Sequence, residues 1–365
     1  MRRNLALLLI GLFMVGVNGK ALAAGGPVAI DLNCTEPAGC VQTNEISDGA
    51  VSNSKIADGS VTDAKIAGTI SASKIQKPAN VVVVAKSGGD YTSISAAMAA
   101  INPTAENPYV VKVMPGTYQE PEITYMKSYV RLEGAGREIT TLKNSGIGWS
   151  ISCSAVTNAT ISGFTFISVY RGIGIVIGGG SNVTVENNHF TGYQLDGIHV
   201  TGATTSAVIR RNIFSDMGSG DYNPGILVGM VGNPFEASSP VITENLFKGN
   251  YVGIDVMNGS PIIENNKFTE NAGGIRSYGV PLIKNNVFKS NNSSGIGIEG
   301  GNPIILNNTS TGNSCDISIY GSLPHISYNV FDTLCGNYGA PADVYVGKYN
   351  LKSDGTDAPT TDTFQ

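Results

Sequence analysis

Charge is what this chain has least of. Asp, Glu, Lys and Arg make up 14% of its 365 residues, against about a quarter in an average globular protein. The formal net charge is −5, and no basic cluster follows the first few residues, which argues against a nucleic acid partner. Beyond the N-terminal two dozen residues no run is long and apolar enough to be a transmembrane segment. Histidine occurs three times and tryptophan once, so there is little material for a histidine-based site. The five cysteines cannot all pair with one another. What is abundant is glycine, 46 residues of it, together with Asn, Ser and Thr and 41% apolar residues. Such a chain can bury a core, and it has the makings of β structure with many turns.

The first 23 residues read as a secretory signal peptide. Arg2 and Arg3 precede the apolar run LALLLIGLFMVGV, and the small-residue site Ala21-Leu22-Ala23 follows, a pattern too short for a membrane span. Residues 24–45 form a segment in which Cys34 and Cys40 bracket TEPAG, a loop that an oxidising compartment can staple.

Residues 46–78 carry a short repeat, ISDGAVSNSK, IADGSVTDAK, IAGTISASK. Its apolar residues Ile46, Val51, Ile56, Val61, Ile66, Ile70 and Ile75 recur at almost every fifth position. Neither a helix nor a simple alternating strand has this period. The segment resembles decapeptide repeats of phage tail fibres and bacterial surface proteins, which are commonly trimeric. Two readings stay open, a homotrimer-forming module and a flexible polar linker.

A second repeat fills residues 79–350. PVITENLF at 240, PIIENNKF at 261, PLIKNNVF at 281, PIILNNTS at 303 and PHISYNVF at 324 put their prolines 21, 20, 22 and 21 residues apart. Asn188, Asn212, Asn245, Asn266, Asn286 and Asn329 each stand two places before a phenylalanine. Downstream of each unit comes Gly-Ile-x-Val or a variant. Short alternating runs at this period predict a right-handed parallel β-helix, an all-β solenoid with about three strands per coil and coils about 4.8 Å apart. Ile, Val and Phe then form inward columns. Asn takes a corner, where it tolerates the left-handed conformation and builds an amide ladder, and Gly before Ile permits a tight bend. Cys315 and Cys335 fall at similar places on adjacent coils, which makes a disulfide between them reasonable, and Cys153 is expected in the core. Ile94, Ala97, Met98 and Ile101 have helical spacing and predict an amphipathic helix covering the open first coil. Residues 351–365 read as a disordered tail.

From Val81 to about Val346 the chain resembles the pectin-lyase-like superfamily of right-handed β-helices. Its start, VVVVAKSGGDYTSISAAMAAI followed by YVVKVMPGTYQEP, is similar to the entry of pectinesterases. The pectinesterase signatures Gln-Asp-Thr-Leu, Asp-Phe-Ile-Phe-Gly and Gly-Arg-Pro-Trp have no match, and Trp149 stands instead in SGIGWSIS. The three Asp and Gly-His-Gly of polygalacturonases are absent, and LDGIH is not the Asp-Pro-His of alginate epimerases. No catalytic residue is carried over, and pectinesterase activity is disfavoured. The resemblance implies the fold more strongly than any activity, because one fold hosts many chemistries.

The repeat offers its own route to a site. In Gly-Ile-x-Val the Ile and Val point inward and x points to solvent. Coil by coil, x reads Gly174, His199, Leu227, Asp255, Arg276, Gly297, Ser318 and Tyr345, and two places further lie Tyr278, Glu299 and Tyr320. Polar and aromatic groups along one wall suit an extended sugar chain. Two long loops, SDMGSGDYNP and GMVGNPFEASS, flank Leu227 and bring Asp221 and Tyr222. Candidate catalytic residues are therefore His199, Asp255 and Arg276, and candidate substrate contacts are Tyr278, Glu299, Tyr222, Asp221 and Tyr320. The bland reading of Asp255 and Arg276 is a surface ion pair of small energetic value. Strand parity sends Asp196 inward with Ile198 unless Gly197 turns it out, so Asp196 and His199 are not taken as a dyad.

The function expected is that of a secreted, cell-surface or periplasmic protein binding a polysaccharide along this wall, with processing possible and catalysis open. A trimeric adhesin or fibre protein is the structural alternative, and a polysaccharide lyase or epimerase the enzymatic one. No metal site or cofactor is assigned. Calcium enters only for a lyase, with Asp255, Glu299 and Arg276 as its groups.

Overall fold

The structure is a computed structural model describing residues 80–120, 123–144, 148–168, 172–193, 195–217, 223–230, 237–336 and 350–356. The signal peptide, the Cys34 and Cys40 loop, the 46–78 repeat, Asp221, Tyr222 and Tyr345 lie outside the described residues.

After the first coil, which supplies one strand and a helix, successive coils add strands to three parallel sheets. Sheet 1 has 11 strands, from Val81–Val84 to His325–Ser327, and sheet 2 has 10, from Gly116–Glu120 to Val330–Phe331. Sheet 3 also has 10, from Thr124–Tyr125 to Leu334–Gly336. Alternation sets the faces. In Val241–Thr243 only Ile242 is fully buried, and in Leu246–Lys248 only Phe247. The result is an all-β solenoid with its core along the axis. Among the described residues no helix is long and apolar enough to cross a membrane.

The core columns follow the repeat. Phe166, Phe190, Phe214, Phe247, Phe268 and Phe288 stack with ring centroids 4.6–4.9 Å apart, the strand spacing of a parallel sheet. Asn188, Asn212, Asn245, Asn266, Asn286, Asn308, Asn329 and Asn350 form a buried amide ladder, each Nδ2 donating to the next Oδ1 at 3.0–3.3 Å. A second ladder, through Asn250, Asn271, Asn291 and Asn313, was not anticipated from the sequence.

Two details of the local chemistry differ from expectation. The left-handed corner falls on the residue before the ladder Asn, at Asn187, Arg211, Glu244, Asn265, Asn285, Asn307 and Tyr328. Bulky residues are held there because the ladder hydrogen bonds over-determine the turn. The glycine before Ile does not serve a bend. A Cβ on Gly274 would stand 2.3 Å from the Gly295 carbonyl oxygen and 2.8 Å from the Phe288 ring. Gly197, Gly225 and Gly253 are confined in the same way. These glycines seat the aromatic ring of the following coil.

Near the start, Ile94–Ala100 is a short helix N-capped by Ser93, whose hydroxyl accepts from the Ala96 N–H at 3.2 Å. Ile94, Ala97, Met98 and Ile101 are buried, as their spacing required. The buried Glu120 carboxylate accepts from the Ile94 N–H at 2.8 Å. Cys315 and Cys335 are disulfide-bonded, and Cys153 is buried and free.

Candidate functional site on the outer face of sheet 3

The outward column of sheet 3 is in strict register. His199 pairs with Leu227, Leu227 with Asp255, Asp255 with Arg276, Arg276 with Gly297 and Gly297 with Ser318. One member differs from the sequence reading, because Val176 pairs with His199. Gly174 belongs instead to the confined-glycine column, since the run GIGIVI contains the Gly-Ile-x-Val unit in a frame shifted by two residues. Tyr278, Glu299 and Tyr320 do occupy like places after successive strands, their N–H groups donating to Val256, Ser277 and Ile298 at 2.8 Å.

Alternation aims these side chains outward, yet they are not all wet. Asp255 is only 1% exposed and the Arg276 side chain 18%. Arg276 Nε donates to Asp255 Oδ1 at 3.1 Å, and a second guanidinium N–H donates to Oδ2. The reading of this contact as a solvated surface pair is therefore corrected: it is a buried, bidentate pair. Burial pushes the Asp255 carboxyl up, and the hydrogen bond and charge of Arg276 pull it back. Glu299 follows the same logic. Burial raises it, Arg276 opposes the rise and Asp255 adds to it.

Asp196 is the residue that sequence reasoning discounted. Its carboxylate turns out toward His199, with Oδ2 3.6 Å from Nδ1, although its own exposure is 6%. The acid and the histidine of LDGIHV do face each other, because the chain at Gly197 does not continue strand parity back to Asp196. His199 Nε2 lies 3.4 Å from the Gly229 carbonyl. A carbonyl oxygen only accepts, so that contact puts the ring proton on Nε2 and leaves the Nδ1 lone pair toward Asp196. Burial first, and the Asp255 charge second, push the Asp196 carboxyl up to about 7. A signal for this was present in the sequence. The corresponding places on later coils are Pro224, Val252, Gly273, Ser294 and Cys315, and Asp196 is the charged residue among them.

Beside Arg276 the wall opens into a cleft of about 220 Å³ lined by Tyr251, Val252, Gly273, Ser294, Gly297 and Glu299. Tyr251, also missed from the sequence, sits at its edge, 36% exposed. The arrangement therefore places a carboxyl that titrates near neutrality, a histidine and an Arg-clamped carboxylate around one surface. Those are the groups of proton-transfer chemistry. Among the described residues, no three or more His, Cys, Asp or Glu side chains converge to hold a metal ion.

A family model for the right handed beta helix region matches residues 126–262 and 228–331, together more than half of the chain. The chain belongs to the right-handed β-helix family. Among solved members of this architecture, an alginate lyase from Paenibacillus sp. str. FPU-7 superposes with a TM-score of 0.53 at 14% identity, over 76% of this chain and 97% of that one. The A-module of the mannuronan C-5 epimerase AlgE4 of Azotobacter vinelandii gives a TM-score of 0.51 at 17% identity, over 72% of this β-helix chain and 84% of the module. At such identities the likeness is one of fold. A pectinesterase of Aspergillus niger is 41% identical over 54 residues, 15% of this chain and 16% of the relative. The chain thus spans a small part of that enzyme's length.

Proposed function

We propose that this β-helix protein is exported, binds a polysaccharide along the outer face of sheet 3, and processes it by proton transfer at Asp196 and His199. The observation that supports this most is the carboxyl of Asp196, buried on an outward wall, raised to about 7 and 3.6 Å from the His199 ring. A group poised near the operating pH serves as general acid or base. In this reading burial first, and the charge of Asp255 second, raise the Asp196 carboxyl, and Arg276 fixes Asp255 in place. Tyr278, Glu299 and Tyr320, with Asp221 and Tyr222, contact the glycan. The fold likeness to an alginate lyase and a mannuronan epimerase supports polysaccharide handling at a general level. A lyase or epimerase would use the same acid–base pair, and calcium belongs in its assay.

The test is incubation with a panel of neutral and acidic polysaccharides, with and without calcium, reading binding, chain shortening and unsaturated product. Activity abolished in Asp196→Asn and His199→Ala is the expected result. Turnover unchanged in both variants would move the site off sheet 3, and binding without turnover would reduce the function to recognition. We also read the helix Ile94–Ala100 as the cover of the first coil, and residues 46–78 as a trimer-forming module. A clear monomer in solution, with and without residues 25–78, rejects the trimer and the fibre alternative with it.

A further inference from the structure

Two kinds of glycine stand side by side in this solenoid. Gly274 and Gly295 have no room for a Cβ, which would meet a backbone carbonyl or side-chain oxygen at 2.3 Å. Gly273 and Gly297 are different. A Cβ on Gly273 would find nothing nearer than 3.8 Å, and one on Gly297 nothing nearer than 3.4 Å. Neither has a positive φ. Packing and backbone conformation therefore do not require glycine at either place. The neighbouring coils confirm that side chains fit, since Val252 occupies the position of Gly273, and Leu227 and Arg276 occupy the position of Gly297. Both unforced glycines line the cleft beside Arg276. Their missing side chains are what makes it concave.

The charges around the cleft indicate what it can hold. The charged residues of its lining are Glu299 and Arg276, and Arg276 already spends two donors on Asp255, which leaves Glu299 without a matching positive charge in the lining. The protein as a whole carries −5. An anionic sugar would be brought into a field of its own sign. A neutral sugar meets no such penalty, and its hydroxyls can donate to Glu299 while the Tyr251 ring covers an apolar face. Resting on the functional reading above, we infer that the cleft floored by Gly273 and Gly297 is a sugar-binding subsite, and that it selects a neutral hexose-containing polysaccharide over a polyuronate.

The experiment measures binding of the full chain to neutral polysaccharides (dextran, galactomannan and a β-glucan) and to polyuronates (alginate and polygalacturonate), by calorimetry or affinity electrophoresis. It uses wild type, Gly273→Val, Gly297→Leu and Glu299→Gln. The two filling variants borrow residues the solenoid already carries at those positions, and thermal unfolding checks that each folds. Expected are binding to a neutral glycan and at least tenfold weaker binding in both filling variants at unchanged thermal midpoint, with a smaller loss in Glu299→Gln. Binding of polyuronates alone overturns the neutral selectivity and leaves the polysaccharide reading standing. Neutral binding untouched in well-folded filling variants overturns the subsite. Absence of binding to any of these glycans overturns both the inference and the functional reading.

Discussion

Asp255–Arg276 on sheet 3 and Glu264–Lys284 on sheet 1 are the same device in two places. Each is an acid paired with a base in parallel register on the following coil, and each points away from the axis. Their surroundings differ. Asp255 is 1% exposed and its partner's side chain 18%, whereas the Glu264 and Lys284 side chains keep 24% and 35% of their surface in water at a separation of 2.9 Å. Cross-coil pairing is thus a habit of the whole solenoid, and it does not mark a site. Loss of water does, because burial raises the carboxyls of Asp196 and Glu299 on sheet 3 and the charge of Asp255 adds to both rises.

The largest test of that contrast is deletion of the acids. Asp255→Ala leaves a guanidinium partly buried without its carboxylate and is expected to cost about 3–5 kcal/mol, read as a drop in urea midpoint. Equal losses in Asp255→Ala and Glu264→Ala would break the comparison.

A second test uses pH. Asp196 has a folded value of about 7 against an ordinary 3.8, so the native state holds a proton that the unfolded chain has released over that interval. Stability from this group is fully present below the unfolded value and is lost as pH rises toward 7, by on the order of 4 kcal/mol at the upper end. Asp196→Asn should flatten this decline between pH 4.5 and 7.5 in denaturation curves, and a slope left unchanged would remove Asp196 as its source.

A third, of intermediate size, lies within a single strand. Gly274→Ala forces a Cβ against the Gly295 carbonyl and the Phe288 ring and should destabilise by about 1–3 kcal/mol. Gly273→Ala meets no such contact and should be neutral or stabilising by about 0.4–1 kcal/mol, through the reduced freedom of the unfolded chain. Paired thermal melts decide this, and comparable losses would refute the division into forced and unforced glycines.

The smallest effect belongs to sheet 1. Glu264→Ala is expected to change stability by only about 0–1 kcal/mol, vanishing in high salt. A larger, salt-insensitive change would mean that sheet 1 is as desolvated as sheet 3.

Much of the fold was legible because its unit repeats. Each Asn two places before Phe, and each Gly-Ile-x-Val, is an independent sample of one local environment, so errors in single coils average out. Where a unit overlaps itself, as in GIGIVIG, that protection fails, and Gly174 was placed two residues out of frame. The wall was half legible. Alternation identified His199, Asp255, Arg276 and Glu299 as outward residues, but it read outward as exposed. It also discounted Asp196, whose direction depends on one peptide at Gly197.

By itself, then, the sequence determined the coil length, the inward columns of Ile, Val and Phe, the Asn ladder, and all but one of the described residues assigned to the outer column of sheet 3. Periodicity encodes these directly, since each residue's facing follows from its count along the strand. Only the tertiary structure decided that Asp255 is dry, that Asp196 meets His199, and that Gly273 and Gly297 leave a cleft. Desolvation and concavity are set by what neighbouring coils place over a residue, and no single strand carries that information.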